Sequence, residues 1–214
     1  MAVYSVDGNI GSGKSTLIDK LRDKYIIIDE PVSLWKTFKD KNGEDILSKF
    51  YKDQDRWSFA FQMMAYISRL SEIKKMIQKY PNKILITERC AYTDYHVFAK
   101  MLYSSNKISE IEYKIYCHWF DEFMKDIPIV GYIYLTTPPK TCLERIKQRG
   151  RKGEENIPLE YLKMCDHYHK NWLQNERHVL FLKEGNVEKI NTFIQKQTND
   201  CISTYIKETG LFIE

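Results

Sequence analysis

The sequence predicts an α/β fold built on a five-stranded parallel sheet with helices on both faces. Three observations carry this. Five short apolar runs lack strict alternation, the pattern of strands covered on both sides. The segments between them have helical character and are long enough for the crossovers that parallel neighbours need. A Gly-rich turn, Gly8-Asn9-Ile10-Gly11-Ser12-Gly13-Lys14-Ser15, joins the first apolar run to the first helix.

Strands are expected at 2–7, 25–29, 83–87, 130–135 and 178–182, and helices at roughly 14–24, 43–50, 54–80, 93–103, 109–126, 138–149, 158–174 and 187–207. The first strand, from Ala2-Val3-Tyr4-Ser5-Val6, leads through the glycines into Thr16-Leu17-Ile18-Asp19-Lys20-Leu21. The second, Tyr25-Ile26-Ile27-Ile28-Asp29, stops at Glu30-Pro31. The long helix 54–80 carries Phe59, Gln62, Tyr66 and Arg69 at i, i+3, i+7 and i+10, which sets a polar pair on an apolar stripe. Such a pair needs partners when buried, so a ligand site is the favoured reading. The third strand ends in Glu88-Arg89. In helix 109–126, Ile111, Ile115, Trp119 and Phe123 form another stripe, able to pack inward or against a partner. The basic-then-acidic, glycine-containing stretch from Arg145 to Asn156 reads as a mobile loop between two helices. Helix 187–207 bears no motif and reads as a packing element on the flank of the sheet.

Composition narrows the function classes. At 214 residues the chain suits one domain, or one domain with a lid. A hydrophobic content of 43% with 29% charged residues is that of an ordinary globular protein. The net charge of +4 suits anionic nucleotides but is too small to argue for DNA or RNA binding. No run of about 18 apolar residues is present, so no membrane span is expected. The first strand begins at residue 2, which leaves no room for a targeting peptide and points to the cytoplasm. Five widely spaced cysteines without a C-x-x-C argue against a disulfide framework or zinc site. Cys165, His167 and His169 fit helix packing and surface better than metal, because only Cys165 and His169 share a face.

The chemistry begins at the glycines. G-x-x-x-x-G-K-S between a strand and a helix is a phosphate-binding loop, Gly8 to Thr16. Its glycines let backbone N–H groups face phosphate oxygens, Lys14 can reach the outer phosphates, and Ser15 can hold Mg²⁺. The chain is therefore expected to bind a nucleoside triphosphate, ATP, with Mg²⁺. In an open parallel sheet ligands sit beyond the carboxyl ends of the strands. That rule places Glu30 and Glu88 on the same rim as the phosphate loop.

Five motifs in order resemble the deoxynucleoside kinase family, of the deoxycytidine, deoxyguanosine and insect multisubstrate type. They are Gly8 to Thr16; Glu30-Pro31-Val32-Ser33-Leu34-Trp35; Arg56-Trp57-Ser58-Phe59-Ala60-Phe61-Gln62 through Ser68-Arg69; Glu88-Arg89-Cys90-Ala91-Tyr92-Thr93-Asp94; and Arg149-Gly150-Arg151 with Ile157-Pro158-Leu159-Glu160-Tyr161-Leu162. The likeness runs from residue 2 to about residue 175. It implies the P-loop kinase fold, a single domain over 1–214, and an Arg-rich lid at about 145–157. It implies phosphorylation of a deoxynucleoside 5′-hydroxyl, in nucleotide salvage.

The resemblance also implies residue roles. Glu30 is the general base, Arg89 stabilises the transferring phosphoryl group, and Glu88 holds Mg²⁺ with Ser15. Arg145, Arg149 and Arg151 close over the phosphates. Gln62 reads the base edge, Phe98 and Trp35 enclose the base, and Ile10, Leu47 and Phe50 form apolar walls. Tyr51 and Glu160 bind the sugar 3′-hydroxyl. Arg69 and Asp94 match the pair typical of deoxycytidine and deoxyguanosine kinases, so deoxycytidine or a purine deoxynucleoside is favoured over thymidine. A homodimer is expected through helices 93–103 and 109–126. Cys90 departs from the serine of many members. The competing readings are a thymidylate or other nucleoside monophosphate kinase, against which the Glu30-Pro31-Val32 motif argues, and a non-catalytic kinase-like subunit, against which Lys14, Ser15, Glu30 and Arg89 argue.

Overall fold

A computed structural model describes residues 2–125, 127–151, 153–154 and 157–209, with side chains described through residue 198. Lys152, Glu155 and Asn156 of the expected lid lie outside the described residues.

Five strands, β1 (Ala2–Gly8), β2 (Ile26–Ile28), β3 (Ile84–Glu88), β4 (Ile129–Leu135) and β5 (Val179–Leu182), form one parallel sheet in the order β2-β3-β1-β4-β5. The central strand β1 pairs with β3 on one side, Ser5 opposite Thr87 and Val6 opposite Glu88, and with β4 on the other. The chain leaves β1 toward β2 and later crosses to β4, so the strand order reverses at the carboxyl end of β1. Such a switch point opens a crevice between the neighbouring loops.

The period of two along β1 divides the core. Tyr4 and Val6 face Leu17, Ile18, Leu21, Ile190 and Ile194, under helices α1 (Lys14–Asp19) and α10 (Val187–Thr209). Val3 faces Tyr66, Leu70 and Ile73 of α4 (Gln54–Lys79) and, beyond them, Tyr116 and Phe120 of α7 (Glu110–Phe123). A third cluster lies beyond the strand ends. There α2 (Val32–Trp35) and α3 (Ile46–Lys52) give Trp35, Leu47 and Phe50. They meet Phe61, with Ile146 of α8 (Pro139–Arg149) and Tyr161 of α9 (Leu159–Leu173). This cluster is the floor on which the site is built.

Some boundaries differ from the sequence-based expectation. Helix α1 stops at Asp19, because Lys20 and Leu21 already bond three residues back, to Leu17 and Ile18. Residues 91–104 form one helical run, α5 (Ala91–Thr93), a π-helical turn (Asp94–Ala99) and α6 (Lys100–Ser104). That run is an inner element: Thr93, Asp94, Val97, Ala99, Met101 and Leu102 are buried. It therefore offers little to a partner subunit, contrary to the expected 93–103 dimer helix. Among the exposed large apolar side chains of the described residues, Ile111, Ile115, Trp119 and Phe123 lie on α7 and Ile67 on α4; the others, Leu34, Phe38, Met164 and Phe181, lie elsewhere. Asp126, at the end of the expected 109–126 helix, lies outside the described residues.

Candidate active site

The phosphate loop follows β1 directly. Gly11 (φ +76°) and Gly13 (φ +96°) hold left-handed conformations that other residues avoid. A Cβ at Gly11 would stand 2.6 Å from the Cys142 carbonyl oxygen, so the loop also needs glycine to lie against α8. Asn9 closes the loop from beneath. Its Oδ1 accepts from the Ile10 N–H at 2.9 Å, and its Nδ2 donates to the Leu162 carbonyl at 2.8 Å. The Lys14 ammonium folds back to donate to the carbonyls of Gly8 (3.1 Å) and Asn9 (2.8 Å). Burial, with Arg89 nearby, lowers its pKa to about 8. Gly8, Asn9 and Ser12 are buried under the loop, whereas Ile10, Gly11, Gly13, Lys14, Ser15 and Thr16 line a cavity of about 610 Å³ at the switch point.

Two strand ends bring carboxylates to this cavity. Ser15 Oγ donates toward both Glu88 oxygens at 3.2 Å. This hydroxyl–carboxylate pair beside the loop fits Mg²⁺, which takes few protein ligands and completes its shell with phosphate and water. No cluster of three metal-ligating side chains is present among the described residues. Glu30, at the end of β2, accepts from Arg89 Nη1 at 2.8 Å and Arg69 Nη2 at 3.2 Å, both on Oε1. Burial alone would raise its pKa, but Arg89, Arg69 and Lys14 outweigh burial and hold it at about 2. Arg89 has φ +59°. Its backbone is braced by the Thr87 hydroxyl, which donates to the Arg89 carbonyl at 2.7 Å.

Arg69, buried in α4, lines the cavity. It donates to Asp94 from Nε (2.9 Å) and Nη2 (3.3 Å), and from Nη1 to the Glu88 carbonyl (3.0 Å). The π turn sets Asp94 and Phe98 on the cavity wall, with Phe98 under the Arg89 guanidinium at 5.2 Å. Trp35 is fixed by its Nε1–H donating to Ser68 Oγ at 2.8 Å and by an edge-on contact with Phe61. Leu47, Phe50 and Tyr51 of α3 complete the wall. Gln62 also lines the cavity, and its buried Oε1 has no hydrogen-bond partner. A buried acceptor left without a donor costs about 1–3 kcal/mol, so this amide is poised for one.

Arg145, Arg149 and Arg151 reach the cavity from α8 and the residues after it. Arg145 Nη1 donates to the Ser12 carbonyl at 3.0 Å. Arg149 and Arg151 both pair with Glu154. Here one sequence-based expectation fails. Glu160 is not a cavity residue: its side chain is 75% exposed and pairs with Lys163 at 2.7 Å. It sits in the first turn of α9, on the solvent side. The buried carboxylate beside Tyr51 is Glu154. One further polar residue escaped the sequence reading. Asp7 is buried in β1, accepting from Ser5 Oγ at 2.6 Å and from Thr93 Oγ1 at 2.5 Å. Its position before the Gly-rich loop, on the inward face of a strand, is the one available signal. The bond from Thr93 ties the loop's strand to the start of the helical run that carries Asp94.

Comparison with known proteins agrees with this geometry. The family described as deoxynucleoside kinase matches residues 4–209. Deoxycytidine kinase of Homo sapiens is 36% identical over 192 residues, covering 79% of this chain and 74% of that protein. A probable deoxycytidine kinase of Fowlpox virus is 36% identical over 179 residues, covering 81% and 73%. The mitochondrial thymidine kinase 2 of Homo sapiens is 32% identical over 176 residues, covering 80% and 64%. A phosphate loop, two strand-end carboxylates and an arginine-lined cavity thus coincide with a family match over nearly the whole chain, and the chain belongs to the deoxynucleoside kinases, ATP-dependent phosphotransferases of nucleotide salvage.

Proposed function

We propose that this kinase transfers the γ-phosphoryl group of ATP to the 5′-hydroxyl of deoxycytidine or a purine deoxynucleoside in preference to thymidine. The observation that carries the preference is the Arg69–Asp94 pair, both partners buried, on the wall of the cavity that Gln62 also lines. The pair fills the space in which a thymine methyl would sit. A site built from polar partners rejects an analogue that leaves them unpaired.

The remaining assignments belong to the same proposal and rest on the resemblance together with the cavity lining. Residues 1–214 act as one kinase domain. The loop from Gly8 to Thr16 and Lys14 hold the donor's phosphates. Ser15 and Glu88 would hold Mg²⁺, which when bound neutralises charge on the donor's phosphates. Arg69 and Arg89 occupy Glu30 Oε1, which leaves Oε2 for the 5′-hydroxyl. A carboxylate of such low basicity orients the hydroxyl and takes its proton late, as the new P–O bond forms. Arg89, with Arg145, Arg149 and Arg151, offsets the charge of the transferring group and keeps water out. Gln62 accepts from a base amino group, Trp35 and Phe98 enclose the base, and Leu47 packs beside it. Tyr51 with Glu154, rather than Glu160, takes the sugar 3′-hydroxyl. A homodimer forms through α7 and the Ile67 face of α4, where five large apolar side chains are exposed. No helix among the described residues is long and apolar enough to cross a membrane, and the free thiols of Cys90, Cys117, Cys142 and Cys165 suit the cytoplasm.

The test is Mg²⁺-ATP-dependent turnover of deoxycytidine, deoxyadenosine, deoxyguanosine, thymidine and thymidine monophosphate. Higher kcat/KM on deoxycytidine or a purine than on thymidine supports the reading. Dominant thymidine use removes the Arg69–Asp94 argument, and turnover of the monophosphate alone removes Glu30 as the base.

A further inference from the structure

Glu154 lines the cavity together with two of its arginines. Its buried carboxylate accepts from Arg151 Nη1 on Oε1 at 3.2 Å and from Arg149 Nη2 on Oε2. These arginines line the same cavity as Lys14 and Ser15 of the phosphate loop. Glu154 shares this lining with Tyr51 and Tyr161, and burial together with the Glu154 charge pushes the Tyr51 phenol up. Carboxylate and phosphate are equivalent partners for a guanidinium fork, so Glu154 and a donor's phosphates compete for the same two side chains.

The competition has an asymmetry. A donor bound alone can take the arginines only by leaving a buried carboxylate unpaired, which is strongly unfavourable. A sugar hydroxyl that donates to Glu154 removes that obstacle. With both substrates present, phosphates hold the arginines, the hydroxyl holds the carboxylate, and every buried charge has a partner. We propose that Glu154 is a positioning residue for phosphoryl transfer: it retains Arg149 and Arg151 until the acceptor's sugar hydroxyl engages its carboxylate and frees them for the donor's phosphates. This rests on the deoxynucleoside kinase reading of the site given above. Its consequence is positive coupling between the two substrates that depends on one hydroxyl group, and such coupling is reciprocal.

The experiment is calorimetric titration of the full chain with a non-hydrolysable Mg²⁺-ATP analogue under three conditions. These are no acceptor, the best deoxynucleoside from the turnover panel, and that nucleoside's 3′-deoxy counterpart, both at saturation. The deoxynucleoside should tighten analogue binding by about 5-fold or more, in the range usual for coupled sites, and the 3′-deoxy compound by less than about 2-fold. Glu154→Gln should bind the analogue about as tightly without acceptor as the wild type does with it, and gain nothing from the acceptor. Equal tightening by the two nucleosides overturns the inference, and the comparison needs no variant. Glu154→Gln binding the analogue no tighter than wild type also overturns it. Either result leaves the kinase reading intact if the panel shows turnover. Absence of nucleoside binding and turnover together would remove that reading and this inference with it.

Discussion

Glu30→Gln separates the chemical step from binding. The carboxylate receives Arg89 at 2.8 Å and Arg69 at 3.2 Å on one oxygen. A glutamine can turn its amide oxygen to the same two arginines, which points its NH₂ at the position of the 5′-hydroxyl. That group donates and cannot take a proton. Loss of a general base costs about 10²–10⁴-fold in kcat, or about 3–5 kcal/mol of barrier. Donor affinity should stay within about 3-fold, because the phosphate loop and Lys14 are untouched. Stability should also fall by about 3 kcal/mol, since removing one partner of a buried ion cluster leaves charge uncompensated. This difference depends on pH. The folded carboxylate titrates at about 2, below its unfolded value of about 4.3. Its contribution is therefore complete above the unfolded value and lost as pH falls toward 2. Steady-state kinetics, titration of a non-hydrolysable donor, and thermal melts between pH 7 and 3 read all three quantities. A kcat within about 10-fold of wild type, with donor affinity unchanged, would refute Glu30 as the base. A loss of donor affinity as large as the loss of kcat would show that the variant disturbs the loop.

Three further outcomes follow from the same geometry. The unliganded Lys14 titrates at about 8, so donor affinity should fall about 5-fold between pH 8 and 9 as its charge is lost; affinity that stays flat through pH 9 would contradict this. Gly11→Ala places a Cβ 2.6 Å from the Cys142 carbonyl at a φ of +76°, and should abolish measurable donor binding while lowering stability by about 1–3 kcal/mol; normal donor affinity would show that the loop and α8 separate easily. Trp119→Glu puts a charge in the exposed α7 stripe and should convert a dimer to monomer in sedimentation without changing Tm by more than a few degrees; a wild type that sediments as a monomer at micromolar concentration would remove the interface.

The sheet was legible because both-sided burial leaves a plain mark. Five unbroken apolar runs predicted five strands, and each observed strand lies within about two residues of its run. The meeting of Glu30, Glu88 and Arg89 at one rim follows from strand ends and the switch-point rule, which need no side-chain detail. What escaped lies where periodicity carries no information. Glu154 sits in an irregular segment before α9, and nothing in the order of residues distinguishes it from Glu160, six positions on. The structure separates them by direction alone: Glu160 belongs to a helix turn facing solvent, whereas Glu154 is drawn inward by two arginines. The π turn was hidden because Asp94 and Phe98 have a spacing that any helix could carry. The apolar stripe of α7 was visible, but its destination was not, since inward and outward faces look alike until α4 is placed beside it.

The backbone of Arg89 has a consequence for which residues position 89 can hold. A left-handed conformation costs a residue with a Cβ about 1–2 kcal/mol, and glycine is exempt. Arg89→Gly would relax the chain after β3, but it would also take one partner from a buried ion pair, a loss of about 3–5 kcal/mol. The loss exceeds the relief, so the strain at position 89 is held in place by the guanidinium that reaches the Glu30 carboxylate and the Gly8 carbonyl. A backbone bend that would suit glycine is thus kept by a side chain that glycine lacks.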